Sequence, residues 1–293
     1  MTRKNTLSYT QSKRHRGWKS KVCLSQKDDR NNLTANLAIA KLIIKLIPEL
    51  TTPEINTILK ENKSLIDQVQ LFSNNTITKA ELKDWHNLIG RLKNLNLINL
   101  KQTHLVFEHK LYWRDVMKQV ETDAPLDDKN TLLKDTDLKN GILPDGGLLY
   151  LQRKGHPKQL LLTSEMKHQG TNYARKLAGK AKQANGNAIE RMHKNIDVLR
   201  AYMSNESVFP YVVYCWGEDF ADPVVKCKIL PAVQQHEFNR DYTVKYGSDR
   251  IPSASVYLKP EPEPFTVQEL YEIGLQVALE TLTHYLVLNA VKR

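Results

Sequence analysis

The chain has 293 residues, 41% of them hydrophobic and 26% charged, with 43 Lys and Arg against 32 Asp and Glu for a formal net charge of +11. This is the balance of a globular protein with a sizeable core, built as one large domain or two modest ones, and not that of a disordered or membrane protein. The excess positive charge calls for an anionic partner, because Lys and Arg that neutralise phosphates release counterions; DNA leads, although a ribosomal or membrane surface would account for the same charge.

Cys23, Cys215 and Cys227 are too few and too scattered for a disulfide framework or a zinc site, which points to a reducing cytoplasm. No apolar run follows the basic N-terminus within signal-peptide range. The most apolar segment, Leu33–Leu50, is broken by Lys41 and Lys45 and is short for a membrane span, so it reads as a buried helix.

Residues 1–30 carry nine Lys and Arg against Asp28 and Asp29 and read as a basic arm that orders on DNA, with a solvated tail as the plainer alternative. Residues 31–108 read as a mainly helical subdomain. Its helices are expected at Leu33–Leu46, Pro53–Leu59 and Lys79–Leu92, followed by two short strands at Leu95–Leu100 and Leu105–Glu108, an order that suits a winged helix or a plain helical subdomain. Asp123–Asn140, rich in Asp and Lys and containing Pro125, reads as a linker.

From residue 109 to 293 the pattern is that of a second domain. Gly147–Gln152 and Gln159–Glu165 are short apolar runs joined by the turn-rich Arg153–Lys158, which predicts an antiparallel hairpin. Ile189, Met192, Ile196, Leu199 and Met203 recur at helical spacing, with Asn187 as a plausible N-cap. Phe209–Trp216, Val224–Leu230 and Ala254–Leu258 are β-prone runs, and Thr266–Leu288 closes the chain as a long helix after the linker Pro260–Pro264. The fold class is therefore α/β, a mixed central sheet flanked by helices, plus the N-terminal helical region.

The chemistry concentrates in the hairpin. An acid, any residue and a lysine occur together six times, starting at Glu61, Glu81, Glu108, Asp127, Asp137 and Glu165, and only Glu165 ends an apolar strand-like run. The residue ahead of a hairpin's first strand lies near the end of its second, so Asp145 and Glu165 should converge. Alternation turns Glu165 and Lys167 to one face and Met166 to the other, toward a core. Two adjacent carboxylates repel unless a cation lies between them, and oxygen ligands with retained water suit Mg²⁺; Lys167 beside them can orient a water and stabilise charge on a phosphate. For Asp145-Gly146-Gly147 taken alone, a turn is the ordinary reading.

Pro144-Asp145 followed by Glu165-Met166-Lys167 matches the active-site pattern of the PD-(D/E)xK nucleases. The flanking blocks Glu165–Gly170, Gly186–Arg191, His193–Ile196 and Phe209–Val212 resemble the EcoRI-type type II restriction endonucleases, closely over roughly 140–216 and more loosely back to about 110. No counterpart is evident for the helical region near 33–105. The resemblance implies that Asp145 and Glu165 are Mg²⁺ ligands and Lys167 the catalytic lysine. It also implies that Gly186-Asn187-Ala188 is an extended chain in the major groove, and that Glu190 and Arg191 open a helix aimed at the bases. DNA contacts are thereby assigned to His168, Ala184, Gly186, Asn187, Ala188, Glu190, Arg191, Lys194 and Arg240. An Asn amide pairs well with adenine and Arg donates to purine acceptors, which agrees with an inner AATT. The plainer alternative is Asn187 as a helix cap and Glu190 with Lys194 as a surface pair.

Gln183-Ala184-Asn185 departs from the family's pattern except at Ala184, and of the arginines expected near the outer base pair only Arg240 has a counterpart, so an AATT-centred palindrome is better supported than full GAATTC. The expected protein is a Mg²⁺-dependent homodimer that cuts both strands of double-stranded DNA and leaves 5′-phosphate ends, with no membrane and no nucleotide cofactor. A structure-selective or repair nuclease on the same core, and a non-enzymatic DNA-binding protein, are the alternatives.

Overall fold

The computed structural model describes residues 27–61, 63–75, 77–95, 100, 102–120, 140–181, 186–206, 208–225 and 253–291. The chain divides into two compact units, one made of Met1–His109, Asp145–Leu161 and Thr266–Arg293, the other of Lys110–Pro144 and Leu162–Phe265. A five-stranded mixed sheet has the order β1 (Thr103–Glu108), β4 (Leu148–Arg153), β5 (Gln159–His168), β6 (Phe209–Trp216), β7 (Ser253–Lys259), and β5 begins in the first unit and ends in the second. The α/β expectation therefore holds.

In the first unit α1 (Lys27–Leu46) is apolar on nearly every side, and Leu33, Leu37, Ile39, Leu42, Ile43 and Leu46 are all buried. A helix hydrophobic all round needs neighbours all round. Helices α3 (Ile66–Asn75) and α8 (Val267–Val291) supply them. Helix α1 starts six residues before the expected Leu33, because Lys27–Asn32 are all polar and show no apolar period, and its next turn carries the buried polar residues Thr34 and Asn36. These residues are bonded: Thr34 Oγ1 donates to the Arg30 carbonyl at 2.7 Å, and Asn36 Nδ2 donates to the Gly146 carbonyl at 2.9 Å.

Helix α2 (Pro53–Glu61) begins on a proline, the residue best tolerated at a first helical position, and confirms the expected Pro53–Leu59 helix. Helix α3, preceded by the 3₁₀ turn Lys63–Leu65, escaped the sequence reading because its apolar residues fall on two sides: Leu65 and Val69 are buried, whereas Leu71 is 55% exposed. Helix α4 (Lys79–Asn94) opens with a capping box in which the Glu81 N–H donates to Thr78 Oγ1 at 3.2 Å and the Thr78 N–H donates to Glu81 Oε2 at 2.8 Å.

Strand β1 (Thr103–Glu108) pairs antiparallel with β4 (Leu148–Arg153), from Thr103 opposite Arg153 to Glu108 opposite Leu148. The strand expected at Leu105–Glu108 is thus present, but β4 is its partner and not a wing strand. Residues 96–99 of the other expected strand lie outside the described residues, and Leu95 closes α4 as a turn. Helix α8 opens with a second capping box, the Glu269 N–H donating to Thr266 Oγ1 at 3.2 Å, and buries Leu270, Tyr271, Leu282 and Tyr285.

In the second unit β2 (Leu111–Tyr112) and β3 (Gly141–Ile142) form a two-stranded ladder, and α5 (Trp113–Val120) packs on α7 (Gly186–Tyr202). Strand β5 (Gln159–His168) runs parallel to β6 (Phe209–Trp216), and β6 parallel to β7 (Ser253–Lys259). A parallel pair needs a long crossover, and α6 (Thr171–Leu177) and α7 lie on the one between β5 and β6. All eight residues of β6 are buried, as befits a parallel strand covered on both faces.

Three expectations are corrected here. Asn187 is not an N-cap, since α7 begins at Gly186. The same fact makes Gly186-Asn187-Ala188 helical where the family resemblance implied an extended chain; with no proline ahead of Ile189, the helix extends backward through them. The strand expected at Val224–Leu230 begins instead with a helical turn over 223–225, and its remaining residues lie outside the described ones, as do the basic arm to residue 26 and the linker over 121–139.

Candidate active site

Glu165, Met166, Lys167 and His168 are the last four residues of β5 and stand opposite Val213, Tyr214, Cys215 and Trp216 of β6. Strand alternation puts Glu165 and Lys167 on the face shared with Tyr211, Val213 and Cys215, and Met166 on the other face, where it is buried as expected.

Glu165 is a buried carboxylate whose side chain is only 7% exposed, and a charge so placed must be bonded. Its Oε1 accepts from the Lys167 ammonium, whose side chain is 11% exposed. Its Oε2 accepts from the Tyr211 hydroxyl at 2.8 Å and from Asn195 Nδ2, on α7, at 2.5 Å. Cys215, in register with Lys167, is no nucleophile: burial pushes its thiol up to about 12, so it stays protonated.

His168 is exposed at the end of β5 and stacks on Trp216 with ring centroids 3.9 Å apart and planes at 24°. Just beyond, Gly217 sits at φ +113° and touches the segment after β5 so closely that a Cβ would collide with the Gln169 carbonyl. Asp219, buried in the 3₁₀ turn Glu218–Ala221, accepts from the backbone N–H groups of Asn172 and Tyr173 at 3.1 and 2.7 Å and so caps the start of α6.

Asp145 lies in the first unit, in the turn before β4. Asn36 of α1 holds the carbonyl of the next residue, Gly146. Gly147 has φ +72°, and a Cβ there would lie 2.7 Å from the Phe107 ring, so both conformation and space demand glycine. The turn is thus set by α1 and β1 together.

On α7 the buried stripe Ile189, Met192, Ile196 and Leu199 leaves Glu190, Arg191 and Lys194 exposed on the opposite side, with Glu190 and Lys194 at the i,i+4 spacing. The side chains of Gly186, Asn187 and Ala188 are outside what is described, as are Ala184 and Arg240 altogether.

Among the described residues no group of three or more His, Cys, Asp and Glu could hold a metal ion. Mg²⁺ does not require one, because it retains waters and binds through one or two carboxylates together with substrate phosphates. Glu165, a buried carboxylate held by two neutral donors and one lysine, fits that role.

That Asn195 and Tyr211 meet Glu165, and that Asp219 caps α6, escaped the sequence reading. A tyrosine inside the wholly apolar run Phe209–Trp216 was the available signal, since a buried hydroxyl finds a partner.

Residues 72–231, more than half of the chain, match the family described as "Restriction endonuclease EcoRI". The match starts well before the point near 110 at which the resemblance begins, so part of the helical region does have a family counterpart. The type II restriction enzyme RsrI of Cereibacter sphaeroides is 35% identical over 176 residues, 48% of this chain and 63% of that protein. The type II restriction enzyme EcoRI of Escherichia coli is 35% identical over 118 residues, 37% of this chain and 43% of that protein. The chain thus spans less than two thirds of either relative. Among solved structures, the MunI restriction endonuclease in complex with cognate DNA is matched over 69% of this chain and 96% of its own, with a TM-score of 0.30 and 20% identity. No described helix is long and apolar enough to cross a membrane. With its family match spanning strand β5, helix α7 and strand β6, this chain belongs to the EcoRI family of restriction endonucleases.

Proposed function

We propose that the chain is a type II restriction endonuclease that hydrolyses both strands of double-stranded DNA at a palindrome with a central AATT, GAATTC being the leading full site. The observation that carries this is the buried Glu165 carboxylate paired with Lys167 at the end of β5, within a chain of this family. Asp145 is the proposed second acid, because a hairpin brings the residue ahead of its first strand toward the end of its second.

Asp145 and Glu165 would hold Mg²⁺, which supplies Lewis-acid polarisation of the phosphate and a water of lowered pKa. Lys167 orients the attacking water and neutralises charge on the phosphate. Attack at phosphorus breaks the bond to the 3′ oxygen and leaves a 3′ hydroxyl and a 5′ phosphate. The exposed Glu190, Arg191 and Lys194 of α7 are the proposed reading surface, together with His168, Ala184, Gly186, Asn187, Ala188 and Arg240; Arg and Asn suit purine edges in the major groove. A palindrome is most simply met by a homodimer, one subunit per strand, acting in the cytoplasm.

The test is digestion of a plasmid of known sequence with Mg²⁺, followed by sequencing of the ends. Discrete ends at AATT-containing palindromes are expected. Random nicks, no cuts, or cutting of branched DNA irrespective of sequence would overturn the reading, the last in favour of a structure-selective nuclease.

A further inference from the structure

Glu165 meets three donors among the described residues, and they divide unevenly between its two oxygens. Oε2 takes two neutral donors from two different elements, the Tyr211 hydroxyl on β6 and the Asn195 amide on α7. Oε1 takes the one charged donor, the Lys167 ammonium on its own strand.

We propose that Tyr211 and Asn195 are positioning residues that lock Oε2, so that Oε1 stands at one fixed place where it is exchanged between Lys167 and a divalent cation. This rests on the reading of Glu165 as a metal ligand. Tyr211 is fully buried on a strand in register with β5, so its hydroxyl is as fixed as the sheet. Asn195 approaches from a helix, and two donors from independent elements determine the plane of the carboxylate. Because both donors are neutral, they orient the group without cancelling its charge, and the charge stays available to a cation. The ammonium of Lys167 hangs on a flexible four-carbon stem and can leave. Lys167 and a cation carry like charge and compete for Oε1. When Lys167 yields that oxygen, its ammonium is free to turn to a phosphate.

The two halves of the proposal predict opposite changes in one measurement, the affinity of the full-length, DNA-free protein for Mn²⁺, read from free Mn²⁺ by electron paramagnetic resonance at pH 8. Tyr211→Phe and Asn195→Ala should each weaken Mn²⁺ binding about tenfold, the usual effect of removing a group that orients a ligand. Lys167→Met should tighten it, because a competitor for Oε1 is gone. Glu165→Ala is the reference. If Glu165→Ala leaves Mn²⁺ affinity unchanged, the reading of Glu165 as a ligand fails and the proposal with it. If Glu165→Ala weakens binding but Tyr211→Phe and Asn195→Ala do not, the positioning role is overturned while the ligand reading stands. Weaker binding by Lys167→Met overturns the exchange. Circular dichroism checks each fold; should Tyr211→Phe fail to fold, the half-buried Asn195→Ala decides the positioning role by itself.

Discussion

The side-chain amide of Asn36, buried on α1, donates to the backbone carbonyl of Gly146 at 2.9 Å, one residue after Asp145. A helix from the N-terminal region therefore fixes the turn that carries a proposed metal ligand. Replacing Asn36 with Ala leaves a buried carbonyl without this donor, which costs about 1–3 kcal/mol. The melting temperature should fall by several degrees and the rate of DNA cleavage should fall with it, because Asp145 loses its support. Asn36→Ala with wild-type cleavage at 25 °C would show that the turn holds its place without α1.

Lys167 and Glu165 are expected to separate binding from chemistry. Lys167→Ala should abolish cutting and largely preserve affinity for an AATT-centred duplex, since the role proposed for the ammonium is at the reacting phosphate and not at the bases. Asp145→Ala and Glu165→Ala should also abolish cleavage. Gel-shift and cleavage assays on one duplex check both properties; residual cutting by any of the three variants would remove that residue from the site.

How much of this was legible in the sequence differs from element to element. Strand β6 was read residue for residue, because Phe209, Tyr211, Val212, Val213, Tyr214 and Trp216 are all β-prone and a single proline near the start of the run does not break it. Helix α3 was not read, because Leu71 points away from the side that buries Leu65 and Val69 and blurs the helical repeat. At the site, Glu165 and Lys167 were legible because two-residue alternation puts them on one face without knowledge of any partner strand. Asn195 and Tyr211 were not, because their contact with Glu165 depends on how β6 and α7 pack against β5, which spacing along one strand does not encode.

Arg191 is exposed on α7, on the side away from Ile189, Met192 and Ile196. Its truncation should therefore leave the fold intact and act on recognition alone. Arg191→Ala should lower discrimination at a central base pair by about 1–3 kcal/mol, the worth of one good base contact. Cleavage rates on duplexes carrying single substitutions within AATT measure it, and unchanged ratios would remove Arg191 from base reading.

Asp219 joins the turn after β6 to the start of α6 through the N–H groups of Asn172 and Tyr173. A carboxylate receiving two backbone donors at a helix start is worth about 0.5–2 kcal/mol as a cap. Asp219→Ala should expose those amides to hydrogen exchange and loosen α6 while β5 and β6 stay protected. Uniform loss of protection across the second unit would mean instead that Asp219 supports the whole unit.

The buried Cys215 gives an alkaline signature whose sign follows from its environment. Desolvation raises the thiol from 9.0 to about 12, so the native chain keeps this proton more tightly than the unfolded chain does. Below pH 9 the thiol is protonated in both states and its contribution to stability is fully present and does not change with pH. Between pH 9 and about 12 the unfolded state releases the proton first and stability declines. Cys215→Ala removes that slope at the expense of a small cavity, so the difference in unfolding free energy between wild type and variant should narrow as the pH rises above 9. In native protein at pH 8 the thiol should resist iodoacetamide, and alkylation should appear only on addition of denaturant. Rapid alkylation of Cys215 at pH 8 without denaturant would show that the face of β6 beside Lys167 opens to solvent.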